Sequence, residues 1–558
     1  MRLPSDKKKL ASKVKDVIAD CNVSQDTRLT LYRSLRQWRL TGSPDGNAAI
    51  YNKLGTHIAR TSGYLFSPVD LRFNIEFEND YQTQVLKQSE VGARYLTKSF
   101  EKRDLDIKFS QGVEEALTYG ACIFKQKWGH NGLSGRLVMP WQFGVYNESR
   151  TSLDEQEALC ETVYITRDEL WRRISHLKDA DKIFKKALSH AKKTNDVTGP
   201  ENYFHQVMIG GVAPVIDVST PSGASPGGSV NTDGSALQAM VAPSVSASLI
   251  AFHELTVVDD DTGDYTSIQF VEPDIIITPQ SKKYNLFLPG MHPYTLIQPN
   301  PIEGCIWGIS EIQPMLKLQN LLRERMEDIK KIMGLQYDRL LAFIGFSGLT
   351  DDSYDAFRQA GYIAQEQPGA KIEDLTPKLP NEAFADINEI LRFMDEVSGF
   401  QNILSGQGEA GVRSGNHAST LMKTASPRLR DKAILIERQC SEVGNKALEL
   451  LRVKEAKVHW VGNGEDPKEE FLLNSLPDDY RVVVDSHSSS PIYEEDHKQL
   501  ALLMMKAGVI DGESFLDLVH VPMRDLLKAR LRLKQEKEAQ MIKEHPELLT
   551  KGKAKGHK

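Results

Sequence analysis

The chain has 558 residues, a net charge of -7 and ordinary shares of charged (26%) and hydrophobic (40%) residues. That length holds two to four domains. The charge argues against a protein whose whole task is to wrap nucleic acid electrostatically.

The chain opens with two short helices expected over 5–21 and 27–37. Arg28, Arg33, Arg36 and Arg39 accompany Tyr32 and Trp38 there. This pattern suits nucleic acid or a neighbouring subunit, but it reads first as a solvated helix face. A third helix is expected over 51–65, a strand over 70–78 and a helix over 82–103, with Val85, Leu86, Val91, Tyr95 and Leu96 inward. Residues 113–119 read as a helix; 120–125, a stretch starting at 135, and 162–165 read as strands. Thr166 and Glu169 have the spacing to cap a helix running to Ile174. This α+β order lacks regular βαβ spacing and any dinucleotide glycine signature.

Residues 178–195 form a basic helical stretch with Lys178, Lys182, Lys185, Lys186, Lys192 and Lys193. A strand is expected over 207–218. Residues 219–235, nearly all Ser, Gly, Pro, Asn, Thr and Asp, are expected to be a disordered surface loop. The acidic run 259–264 resembles a calcium loop, but its twelfth position is Phe270 where a glutamate is needed. It reads as a β-hairpin turn between strands over 249–258 and 265–271.

From Gly308 the pattern changes. A long helix is expected with Ser310 as cap, Gln313 three residues on and Pro314 in the first turns. Ile312, Met315, Leu318, Leu322, Met326, Ile329 and Met333 make one apolar stripe. A compact insert follows, extended or buried over 340–346, with short strands at 362–364 and 371–373 about a Gln367-Pro368-Gly369 turn. A second, acidic helix is expected from Asn381 to Gly399, with Phe384, Ile387, Leu391, Met394 and Val397 inward and Glu382, Asp386, Glu389, Asp395 and Glu396 against Arg392.

Residues 405–415 hold four glycines and cannot be a helix interior. No lysine followed by Ser or Thr closes the loop, so it reads as a mobile hinge rather than a nucleotide cradle. A third long helix is expected over 416–450, kinked at Pro427, with Met422, Leu429, Ile436, Val443 and Leu450 spaced by seven. That spacing reads as a core stripe, because a second set at coiled-coil positions looks incomplete. Short strands are expected over 456–461 and 480–484, a helix over 496–506 ended by Gly508, then two more helices and a basic, frayed tail.

The five cysteines lie far apart without ligand spacing and are expected to be reduced. No metal motif, nucleophile elbow, kinase or nuclease pattern appears, and the chain reads as a non-enzyme without cofactor. No apolar run reaches membrane-spanning length.

The order of elements resembles that of the tailed-bacteriophage portal proteins, the head-to-tail connectors. His292-Pro293-Tyr294 and Trp307-Gly308-Ile309-Ser310 stand before the long helix, Gly408 to Gly415 looks like the segment near that family's channel loop, and Met505 to Ile510 like its crown. Phe73 to Phe77 and Gly120 to Lys125 fit its wing. The resemblance implies an α+β ring subunit with a wing (1–307), a first stem helix (308–338), a small α/β clip (339–380), a second stem helix (381–401) and a channel loop (402–415). A long helix then returns to the wing (416–479) and a helical crown follows (480–558). It implies a ring, usually of twelve copies, at one vertex of the virion capsid, assembled in the host cytoplasm. Double-stranded DNA would pass through it. The partners would be the terminase large subunit, head-completion, adaptor or tail proteins, and the major capsid and scaffold proteins. Channel-lining candidates are Glu382, Asp386, Glu389, Gly408, Glu409, Gly411 and Arg413. Arg413 suits either a sparse DNA contact or a salt bridge between subunits. The alternative is another phage structural ring or scaffold-like protein without DNA passage.

Overall fold

A computed structural model describes residues 1–44, 49–68, 71–77, 83–129, 132–177, 179–193, 248–260, 263–278, 287–337, 341–344, 371–380, 382–399, 427–455, 458–461, 469–473, 476–477, 479–484, 500–512, 515–516 and 530–531. The expected strands at 207–218 and 362–364, the loop at 219–235 and the segment 402–415 lie outside them.

The fold is mixed α+β with antiparallel strand pairing throughout the described residues. Helices α1 (Lys7–Cys21), α2 (Gln25–Thr41) and α3 (Lys53–Leu65) open the chain. Strand β1 (Phe73–Phe77), helices α4 (Thr83–Glu101) and α5 (Leu105–Tyr119), and strands β2 (Cys122–Gly129), β3 (Gly132–Val138), β4 (Phe143–Val145) and β5 (Ala158–Thr166) follow. Then come α6 (Arg167–Ile174), α7 (Ala180–Leu188), β6 (Lys192–Lys193), β7 (Ser248–Val258), β8 (Tyr265–Val271), β9 (Ile275–Ile276) and β10 (Tyr294–Ile297). The Thr166 cap forms as expected, its hydroxyl accepting from the Glu169 N–H at 3.3 Å. The β7–β8 hairpin also forms, its turn closed by Asp259 and Asp264 backbone groups and by Gly263 at φ +69°.

Two sheets build the body. One runs β4-β5-β7-β8-β9, with β6 also on β7; the other runs β10-β2-β3. Alternation along β7 sends Leu255 and Val257 to one face, under α1, and Ile250 and Phe252 to the other, under α6 and α7. Strand β10 was not legible as a strand, although it pairs along β2 with Tyr294 opposite Lys125.

The sheets share an ionic tetrad. Lys125 and Arg136 stand opposite each other on β2 and β3, and Glu161 and Glu254 stand opposite each other on β5 and β7. Like charges in opposed positions are unfavourable within a sheet. Each pair is neutralised by the other: Lys125 binds Glu161 (2.6 Å) and Glu254, and Arg136 binds Glu161. The Tyr294 hydroxyl donates to Glu161 at 3.2 Å. Burial pushes the Lys125 pKa down. Burial would raise the Glu254 pKa, but the charge and hydrogen bond of Lys125 together with the Arg136 and Arg173 charges pull it below the usual carboxylate range.

The arginines of α2 correct the expectation of a solvated face. Arg28 is buried, with its guanidinium 3.9 Å from the Trp307 ring centroid and bonded to Pro140 O. Arg36 donates to the Tyr119 hydroxyl, and Arg39 holds Glu114, Glu115 and Thr118 of α5. These residues fasten α2 to the body, because their stems pack while their heads find fixed partners.

Further along come α8 (Leu316–Tyr337), α9 (Ala383–Ser398) and α10 (Pro427–Lys454), and α10 is the spine of the largest core cluster. Pro427 is its first described residue, and the stretch before it, on which the expected kink depends, lies outside the described residues. Leu429, Ile436, Val443 and Leu450 are buried as expected, and Met422 lies outside the described residues. Ala433, Cys440 and Ala447 complete the second set that looked incomplete. A Cβ on Gly444 would stand 2.7 Å from the Phe73 ring and 2.9 Å from Val482. Phe73 and Val482 belong to the β1–β15 pair, where β15 is Tyr480–Val484. Strand β13 (Val458–Val461) pairs with β14 (Glu469–Leu472), which the sequence pattern did not reveal. Residues 500–506 are helical, and Gly508 ends them at φ +72°.

Gly120 and Gly308 meet at the foot of the body, both at positive φ. A Cβ on Gly308 would lie 2.7 Å from Asn300 O and 2.8 Å from Gly120 O. Gly308→Ala is expected to cost about 2 kcal/mol or more, from left-handed strain plus a backbone clash. Urea unfolding of the variant beside a surface Ala substitution checks this.

Candidate functional site

The long helix expected from Ser310 begins later, which corrects its start. Ile309 N–H bonds Asn300 O (3.0 Å) and Glu311 N–H bonds Leu117 O (2.8 Å), so the backbone at 309–311 is engaged by the body. Ser310 Oγ accepts from the Ile312 N–H rather than making a capping box with Gln313. A 3₁₀ turn, Gln313–Met315, carries Pro314 near its start, and α8 (Leu316–Tyr337) continues it.

The apolar stripe of α8 is buried only near its root. Ile312, Met315, Leu322 and Ile329 are buried, and Leu318 and Met326 pack against the core cluster. Met333 is exposed, contrary to expectation, as are Leu335 and Tyr337, the last at 82%. The helix therefore projects beyond the body for its final two turns. Strand β11 (Leu341–Ile344) follows it and pairs antiparallel with β12 (Lys371–Asp374). The 371–373 strand is thus as expected, with residues 341–344 as its described partner.

Helix α9 (Ala383–Ser398) returns beside α8, and Gly399 closes it at φ +76°. The pair is antiparallel: Gln336 near the end of α8 donates to Pro377 O ahead of α9, and Arg325 pairs with Asp386 at 2.9 Å. Its buried face is Ile387, Ile390, Met394 and Ser398. Leu391 and Val397 are half-buried, and Phe384, expected inward, is exposed. The buried face, which meets α8 and the 3₁₀ turn before it, takes in Ile390 and leaves out Phe384.

Glu382, Asp386, Glu389 and Glu396 are all exposed. At 3.6 residues per turn they fall within roughly 80° of arc, away from the buried face. Glu382 is the N-cap residue, though its side chain makes no capping bond. Asp386 is held by Arg325, and Glu389 lies 3.8 Å from Arg392. Three of the seven candidate residues thus share one stripe. Gly408, Glu409, Gly411 and Arg413 lie outside the described residues.

The root of this hairpin is fixed by charges that the sequence did not point to. Lys53 of α3 pairs with Asp395 (2.7 Å) and donates to Leu391 O (3.0 Å). Gln319 of α8 bonds both Tyr51 O and the Lys53 N–H. Deeper in, Glu311 is buried between Lys432 of α10, His57 of α3 (3.5 Å) and the Asn300 amide (2.8 Å). Burial alone would raise the Glu311 pKa. The His57 hydrogen bond, the Lys432 charge and hydrogen bond, and the Asn300 amide outweigh it and pull it down to about 2. Nothing in the spacing of Glu311 and Lys432, 121 residues apart, signals this meeting.

Among the described residues, no group of His, Cys, Asp or Glu is arranged to hold a metal ion. No described helix is long and apolar enough to cross a membrane. Cys21, Cys122, Cys160 and Cys440 are buried, and Cys305 is partly so; all five are free thiols.

Removing one partner of the buried Glu311–Lys432 pair is expected to cost about 3–5 kcal/mol, with the double variant Glu311→Gln/Lys432→Met recovering part of it. The folded-state pKa lies below the ordinary 4.5, so Glu311 stabilises fully above that value. This contribution fades as pH falls from 4.5 toward 2. Unfolding curves across that window should therefore be flatter for Glu311→Gln. No family model matches the chain, and a search of the curated proteins returns no match.

Proposed function

We propose that the chain is the subunit of a portal-type ring, a channel for double-stranded DNA at one capsid vertex. One observation carries this reading: the path of the chain from body to projecting helix, small two-stranded sheet, antiparallel return helix and core-buried α10. The resembling family threads its wing, stem, clip and stem in that order.

Two physical features support it. The projecting hairpin leaves Met333, Leu335, Tyr337, Phe384 and Phe393 exposed on a single chain. Neighbouring copies around a ring would cover such side chains through a head-to-tail contact that closes by rotation. The acidic stripe of α9 suits a channel wall. Repulsion of phosphates keeps a sliding duplex from being trapped by fixed cation contacts. In this reading the 339–380 segment meets the terminase large subunit during packaging and an adaptor or tail protein afterwards.

Native mass spectrometry and electron microscopy of the assembled protein test the proposal. The expected result is a closed ring of about twelve copies with a channel admitting duplex DNA. A protein that stays monomeric under every assembly condition overturns it. A ring too narrow for duplex DNA would favour a purely structural ring instead. In assembled particles, the 339–380 segment is expected to crosslink to the motor or adaptor; crosslinks only to the major capsid protein would contradict the topology.

A further inference from the structure

The lobe formed by α6 and α7 has no part in the hairpin. Between 167 and 193 the sequence carries nine Lys or Arg against four Asp or Glu, in a chain that is acidic overall. The two helices pack on the Ile250–Phe252 face of the sheet through Leu170, Ile174, Ala180 and Ala187, which turns their polar faces outward.

Part of this charge is neutralised locally. Glu169 pairs with Arg173, whose guanidinium lies over the Phe252 ring at 4.3 Å, and Asp274 pairs with Lys186. Asp179 lies 3.6 Å from Lys182, which stays 87% exposed. Arg167, Arg172 and Lys185 are exposed as well. Asp168 and Asp181 are the remaining acids of the two helices. Amid these cations stands an exposed indole. Trp171 packs edge-on against Phe184, with ring centroids 5.2 Å apart, and is 39% exposed. Arg172 and Lys185 follow these two rings directly in sequence.

We propose that this lobe is a docking surface for single-stranded nucleic acid, separate from the hairpin and independent of ring formation. Exposed cations on two adjoining helices suit a phosphate backbone. An exposed ring held in place by a second aromatic gives an unpaired base a face to stack on. A duplex hides its base faces, and an acidic polypeptide offers nothing to stack.

Fluorescence anisotropy of the whole protein with a labelled single-stranded oligonucleotide tests this. Binding is expected to weaken with salt. Arg172→Glu/Lys182→Glu/Lys185→Glu should weaken it by about tenfold or more, and Trp171→Ala by about fivefold or more. Trp171→Phe, which keeps a ring, should retain most of it. Charge reversal at Lys7, Lys8 and Lys9, an exposed basic stretch on α1, should leave it unchanged. The milder Arg172→Gln/Lys185→Gln variant serves if charge reversal disturbs folding, as judged by thermal melting. An unchanged affinity in the lobe variants overturns the proposal, as does equal loss in the α1 variant. Equal competition by polyglutamate would mark an acidic-protein surface instead, and a Trp171→Ala variant binding as well as the parent would reduce the lobe to a phosphate contact.

Discussion

Glu311 sits where the body ends and the projecting hairpin begins, and it is held from three directions. Lys432 reaches it from α10, His57 from α3 and Asn300 from the preceding loop, while its own N–H bonds Leu117 O of α5. A buried carboxylate is costly without partners and strongly directional with them. The start of α8 therefore has one position relative to α3, α5 and α10. The second tether, Lys53 with Asp395, fixes the return helix to α3. Both legs of the hairpin thus stand on the same short helix.

The body is built to hold that foot still. The ionic tetrad locks the two sheets in register, since a shift of either by one residue would turn its charges to the other face. Helix α10 runs through the largest core cluster, and its small residues let the β1–β15 pair come close enough that Gly444 has no room for a Cβ. Its described span begins at Pro427, and Lys432 lies within two turns of that end. That described end of the helix grips the root of the hairpin through Glu311.

The hairpin is anchored to the body at its root, and its two helices hold each other through Arg325–Asp386 and the Gln336–Pro377 bond. Beyond Ile329, α8 contributes exposed apolar side chains, and α9 presents carboxylates on one side. In the proposed ring, copies would cover one another's apolar residues, and the carboxylates would limit how closely the like-charged stripes approach.

Much of the element order could be read directly from the sequence. The Leu429 to Leu450 heptad spacing, the Thr166 cap, the Asp259–Asp264 turn and the acidic character of α9 are local patterns, set by neighbours a few residues away. The sequence also marked the basic stretch after Lys178, although not the Trp171–Phe184 contact within it. What it could not show depends on distant partners. Ser310 looked like a helix cap, yet the backbone at 309–311 is taken up by Asn300 and Leu117. The α2 arginines looked solvated, yet α5, Pro140 and Trp307 receive them. Ala433, Cys440 and Ala447 looked like gaps in a stripe because small residues carry a weak hydrophobic signal, and only close neighbours reveal their use. Glu311 and Lys432 meet across 121 residues with no periodicity to announce it. Periodicity is a property of one helix or strand, and the sequence determined those; a buried charge takes its meaning from whatever else is buried with it, and only the tertiary structure decided that.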